Sequence, residues 1–221
     1  DMLVPEFNKN ADPKELDDYT EEVMTKHVSG RLKVAPEHTS DPVLKLMRKP
    51  SFSYFHKFKE RFDKINIKKG LNLQLIPYFI SNHPACEVED MANLAAETKD
   101  MGFQLEQVQG FTPTPMTVAT VIYYSGYHPY TLKKVNTPIT RKEKEEQHRF
   151  FFWYKDENKA WIKKTLNKLG RTDLLKVLLP EKEEKWRKNK PTGKVKNTYN
   201  DAIPFNQRKN KAKFKSKKKK R

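Results

Sequence analysis

The stretch LNLQLIPYFISNHPACEVEDMANLAAETKDMGFQLEQVQG (Leu71–Gly110) decides the fold. Its first ten residues, Leu71–Ile80, are mostly apolar and are bounded by Gly70 and by Asn82-His83-Pro84. A run this short between turn signals predicts a strand buried on both faces. Glu87–Met101 predicts a helix with Gly102 just past its end, and Gln104–Gly110 predicts the next strand. Strand, helix and strand at crossover spacing make a parallel βαβ unit.

Upstream the alternation continues. Asp12-Pro13 is a cap followed by proline at the first helical position, and it opens a helix to about His27. Ser29–Ala35 predicts a strand closed by Pro36. Ser40-Asp41-Pro42 opens a second helix with Val43, Leu44 and Met47 on one face. Phe52, Phe55, Phe58, Phe62 and Ile65 form the apolar stripe of a third, which ends at Gly70. Three strands are too few to close a barrel, so the reading is half a barrel or an open sheet with an exposed edge. Downstream, FTPTPM is proline-rich and TVATVIYYSGYHPY is short and apolar. Arg141–Lys155, Asn158–Leu169 and Thr172–Leu179 predict a small helical extension. The domains expected are 1–125, 126–180 and a tail, 181–221.

Charge separates the tail from the rest. The 221 residues carry a formal net charge of +17, of which 181–221, with 17 Lys+Arg and 4 Asp+Glu, hold +13. Arg208–Arg221 has ten basic residues in fourteen and no acid. Such a block cannot bury enough apolar surface to offset its ordering entropy, so a disordered polybasic arm is expected. An arm ending in Lys217, Lys218, Lys219, Lys220 and Arg221 can bind the phosphates of an RNA. It can equally be a solubilising tail. One cysteine, Cys86, excludes a disulfide framework or a Cys-cluster metal site built from this chain alone. No apolar run reaches the roughly 18 residues of a membrane span, and DMLVPEFNKN is no signal peptide. A cytoplasmic protein with no membrane partner is the expectation.

Familiar catalytic motifs are missing: there is no Gly-rich phosphate loop, His-Glu-x-x-His or Gly-x-Ser-x-Gly. His38 and His83 each follow the C-terminal end of a predicted parallel strand, where α/β folds place their sites. There each either binds a ligand or caps a loop. Glu37 and Lys49 share that location. The Glu can take a ribose hydroxyl and the Lys a ligand carboxylate, or the two form an ordinary ion pair. Cys86 lies at a helix start, which activates a thiol, yet it has no basic neighbour in sequence and reads as packing. His56 reads as a surface residue. Phe150–Tyr154 could stack bases but reads as a buried helix end.

Three blocks in order, His27–Pro50 (HVSGRLKVAPEHTSDPVLKLMRKP), Leu75–Met91 (LIPYFISNHPACEVEDM) and Gln107–Met116 (QVQGFTPTPM), closely resemble the YgiQ-type radical S-adenosylmethionine proteins. The resemblance covers roughly residues 1–180. It implies an α/β fold, the C-terminal half of a partial (β/α)6 barrel, whose fourth, fifth and sixth strands are the three read above. It implies an enzyme that uses a [4Fe–4S] cluster to cleave S-adenosylmethionine to a 5′-deoxyadenosyl radical, on a substrate that the resemblance does not identify. The Cys-x3-Cys-x2-Cys cluster motif of that family is absent. The chain therefore reads as the C-terminal part of a longer protein, in keeping with its start at Asp1 without a Met, and its partner is the N-terminal half. By itself it is expected to be inactive and to hold neither cluster nor cofactor stably. By position, Glu37 falls where relatives place a Gln that contacts the cofactor, and Lys49 where they place an Arg for the cofactor carboxylate. Tyr78 stands at an Asp position. Ser81, Asn82 and His83 line the turn after the fifth strand. Thr112, Pro113 and Met116 follow the sixth.

Overall fold

The structure is a computed structural model, and it describes residues 12–180. The expectations for residues 1–11 and for the basic tail, 181–221, concern residues outside those described.

The chain opens with helix α1 (Pro13–Glu22). The Asp12 side chain accepts from the Lys14 N–H at 2.9 Å, and Pro13 sits where its missing N–H costs nothing. The helix widens into one π-turn over Val23–His27 and stops before Gly30, whose φ of +129° suits glycine alone. Strand β1 (Arg31–Glu37) follows, then α2 (Asp41–Leu46), α3 (Ser53–Lys68), β2 (Gln74–Ser81), α4 (Val88–Asp100) and β3 (Gln107–Gly110). The three strands form a parallel sheet in the order β1-β2-β3. The alternating α/β architecture is thus as read. A three-strand sheet is what is observed.

Three details differ from the reading. Strand β1 does not stop before Pro36 but runs through it to Glu37, with a bulge between Val34 and Glu37. β1 is an edge strand, and a bulge on an edge tolerates a residue without an N–H. Strand β2 is not buried on both faces. Leu75, Pro77, Phe79 and Ser81 are buried, while Gln74, Ile76, Tyr78 and Ile80 are partly exposed. The buried set faces the helices: Phe79 lies 6.1 Å from the Phe52 ring. The other face stays partly exposed along β2. Pro77 is tolerated in this central strand because β3 pairs only from Tyr78 onward, leaving Pro77 one bonding neighbour. Third, the run TVATVIYYS, which carried no assigned element, forms α5 (Val118–Ser125). Thr117 caps it and Gly126, at φ +72°, closes it.

After α5 come α6 (Arg141–Arg149), a 3₁₀ turn (Phe150–Phe152), α7 (Asp156–Lys168) and α8 (Thr172–Leu178). The stripe Phe52, Phe55, Phe58, Phe62 and Ile65 is buried as expected. It shares one core with Leu75 and Phe79 of β2, Leu94 of α4, Phe150, Phe151, and Ile162, Leu166 and Leu178 of α7 and α8. The core is therefore continuous across residue 125. Arg171 adds a polar tie, bonding Asp173 on α8 and Glu89 and Asn93 on α4. The Phe150–Tyr154 run is packing: Phe150 and Phe151 are fully buried and Trp153 nearly so. No described helix is long and apolar enough to cross a membrane.

Candidate functional site

Parallel strands bring their C-terminal ends to one edge of the sheet, and most of the residues singled out above lie there. Glu37 ends β1 with φ at +70°, a left-handed conformation that re-aims its side chain. It pairs with Phe79, two residues before Ser81 at the end of β2. One Glu37 oxygen is 3.6 Å from Lys49 Nζ. The other, Oε2, is buried and has no partner. Burial pushes the carboxyl above its usual range against the pull of Lys49. Lys49 also donates to the Ala35 carbonyl at 3.3 Å. It lies between α2 and α3, its own N–H bonded to Leu44 O at 2.9 Å. The ion-pair alternative is therefore present, but it uses half of the carboxylate.

The turn after β2 holds the second group. Ser81 is fully buried and its Oγ has no partner. Asn82, at φ +64°, is 5% exposed, and its Oδ1 has no partner either. Asparagine tolerates that φ better than most residues. Gly110 of β3 lets the turn approach, since a Cβ there would sit 3.0 Å from Asn82 Nδ2. The Phe111 N–H donates to Ser81 O at 2.7 Å, so the chain leaves β3 beside Ser81. Unpartnered buried oxygens are rare in native folds because each costs about 1–3 kcal/mol. Here Glu37 Oε2, Ser81 Oγ and Asn82 Oδ1 sit at the C-terminal ends of two paired strands.

His38 does not join them. It is fully buried, and its Nδ1 accepts from the Ser40 N–H at 3.0 Å. That fixes the proton on Nε2, which lies 3.4 Å from Cys86 Sγ. The thiol in turn points its S–H to Glu87 O at 3.7 Å. The chain Ser40–His38–Cys86–Glu87 stitches the start of α2 to the start of α4. Burial lowers the imidazole pKa to about 3 and pushes the thiol well up, so both stay neutral and spent on structure. His83 is also buried. Its Nδ1–H donates to Pro84 O at 2.9 Å, its ring edge meets Phe111 at 4.9 Å, and burial lowers its pKa.

The remaining residues scatter. Tyr78 lies on the open face of the sheet and its hydroxyl donates to Gln109 Oε1. Thr112 is exposed in the loop after β3, its carbonyl accepting from Thr114 Oγ1 at 3.5 Å. His56 is a surface residue paired with Glu97 at 2.8 Å. Sequence reasoning missed Gln147 of α6. It is 3% exposed, accepts from the Asn82 N–H at 2.8 Å and donates to Cys86 O at 2.7 Å. It thereby fixes α6 over the strand-end turn. No local signal marks a glutamine inside a charged helix for such a role. No group of three His, Cys, Asp or Glu among the described residues could hold a metal ion.

Fold and site define an α/β protein with a polar, incompletely satisfied edge at its strand ends. A family model described as a domain of unknown function, DUF3362, matches residues 106–221, and the chain belongs to that family. It is 57% identical over 178 residues to a UPF0313 protein of Porphyromonas gingivalis, a match covering 80% of this chain and 28% of that protein. A UPF0313 protein of Bacteroides thetaiotaomicron is 56% identical over 178 residues, with 80% and 29% covered. One from the archaeon Methanosarcina acetivorans is 40% identical over 172 residues, with 76% and 23% covered. The chain thus spans less than a third of the length of these curated relatives.

Proposed function

We propose that this chain forms one wall of the site of a radical S-adenosylmethionine enzyme, the rest of which lies in a longer protein. What supports this reading is the set of unpartnered buried oxygens at the strand ends, Glu37 Oε2, Ser81 Oγ and Asn82 Oδ1. All three can accept hydrogen bonds. S-adenosylmethionine brings matching donors, two ribose hydroxyls and an ammonium, and a carboxylate for Lys49. In the proposed complex Glu37 Oε2 accepts from a ribose hydroxyl, Lys49 donates to the cofactor carboxylate, and Ser81 and Asn82 take the remaining donors. Arg replaced by Lys at that position gives a point charge in place of a bidentate fork.

The cluster itself does not fit this chain. Its only cysteine is buried and bonded to His38, and three thiolates are needed. In this reading they come from the missing part, which also covers the open face of the sheet bearing Lys33, Ile76, Tyr78 and Ile80. The three strands are then the fourth to sixth of a partial barrel. When bound, cofactor and cluster together supply a 5′-deoxyadenosyl radical. The test is to reconstitute the longer protein with iron and sulfide and assay reductant-dependent release of 5′-deoxyadenosine from S-adenosylmethionine. Release is expected. A fully loaded cluster that leaves S-adenosylmethionine unbound and intact contradicts the proposal.

A further inference from the structure

Beside the strand-end turn lies an open cleft of about 670 Å³ that shares only Asn82 with the site proposed above. One side is α6, which turns Arg141, Lys144, Glu145, His148 and Arg149 toward it at helical spacing, and Asn82 and Ile139 complete the lining. Three permanent cations face one acid, Glu145, which is paired with Arg141 at 2.7 Å. Two of the cations rest against rings. Lys144 Nζ is 5.3 Å from the Tyr123 ring, and the Arg149 guanidinium 5.3 Å from that of Trp161.

Aromatic surface continues outward from there. Tyr124, edge-on to Tyr123 at 5.2 Å, is 74% exposed. The hairpin that follows α5, bridged between Tyr127 and Lys134, exposes Tyr127 and Tyr130 as well. Its return strand is tied to the turn after β2 through Ala85 N–H to Asn136 O at 2.8 Å. Cations in a cleft with exposed rings leading from it are what a polynucleotide strand needs: phosphates meet the cations and bases stack on the rings. An acidic peptide would use the cations and leave the tyrosines idle.

We infer that the α6 cleft and the tyrosine surface beside it bind single-stranded RNA, with Arg141, Lys144 and Arg149 on the phosphates and Tyr124 under a base. This stands apart from the cofactor reading, because binding is measured on the chain alone and needs no cluster. It also stands apart from any binding by the tail.

The test is fluorescence anisotropy of the full 221-residue chain with a labelled 12-nucleotide single-stranded RNA. Tyr124→Ala should weaken binding about tenfold, and Tyr124→Phe should bind like wild type. Arg141→Glu with Arg149→Glu should weaken it further and lower the salt slope by about 1.4, two contacts' worth. Lys217→Ala, Lys218→Ala, Lys219→Ala and Lys220→Ala together should leave the Tyr124 dependence intact. Tyr124 is a surface residue, so its loss does not threaten the fold. The proposal is overturned if wild type does not bind, or if Tyr124→Ala and the α6 double variant bind like wild type. Equally tight binding of a poly-glutamate peptide also overturns it.

Discussion

His38 shows how burial turns a chemically capable side chain into a fastener. With Nδ1 held by the Ser40 N–H and Nε2–H on Cys86, it has no room for a second proton. Its pKa falls from near 6.5 unfolded to about 3 folded. The unfolded chain thus binds the proton first. The stabilising contribution is complete above about pH 6.5 and declines as the pH falls toward 3, by up to about 1.4 kcal/mol per pH unit. In urea titrations between pH 6.5 and 5, above the usual carboxylate range, His38→Asn should show a stability slope shallower than wild type by about that amount. An unchanged slope would mean that His38 is charged or exposed. Its position after a strand was legible in the sequence, and both the ligand-binding and the loop-capping roles were open. Only the three-dimensional partner, Cys86, 48 residues on, decides for capping. Glu37 is the opposite case. Its place at a strand end was readable, and the structure adds the unpartnered Oε2.

At the scale of elements, α6 depends on Gln147. Its amide satisfies the Asn82 N–H and the Cys86 carbonyl at once. Gln147→Leu keeps the size and leaves both backbone groups dry and unpaired, each costing about 1–3 kcal/mol. Chemical denaturation should therefore show a loss of about 2–6 kcal/mol. A variant as stable as wild type would show that water or another donor replaces the amide. The element order from α1 to β3 was readable because proline caps, the phenylalanine stripe and short apolar runs carry their own periodicity. The α5 helix was not, because TVATVIYYS is rich in β-branched and aromatic residues and lacks a polar face. Its helical state follows from the Thr117 cap and from Gly126. The burial of β2 was overread for a related reason. A continuous apolar run marks a strand, but it does not say whether both faces are covered by this chain.

At the scale of the molecule, the helical extension and the sheet share one core, while among the described residues one face of the sheet is partly exposed and its strand-end edge holds unpartnered oxygens. That combination, in a chain spanning less than a third of its relatives, underlies the proposed role as one wall of a larger site. Sequence places the candidate residues at the strand ends, but it does not separate the oxygens without a partner from the histidines bonded within the fold. The most direct measurement is a titration of S-adenosylmethionine into the reconstituted longer protein carrying Glu37→Ala, Lys49→Ala or His56→Ala. Loss of a hydrogen bond to a charged group is worth about 1.5–3 kcal/mol, so Glu37→Ala should weaken binding roughly 10- to 150-fold. Lys49→Ala should weaken it too, and His56→Ala, at a surface residue of α3 that is paired with Glu97, should not. Binding by Glu37→Ala as tight as wild type would contradict the account, and the strand-end carboxylate would then be only the partner of Lys49.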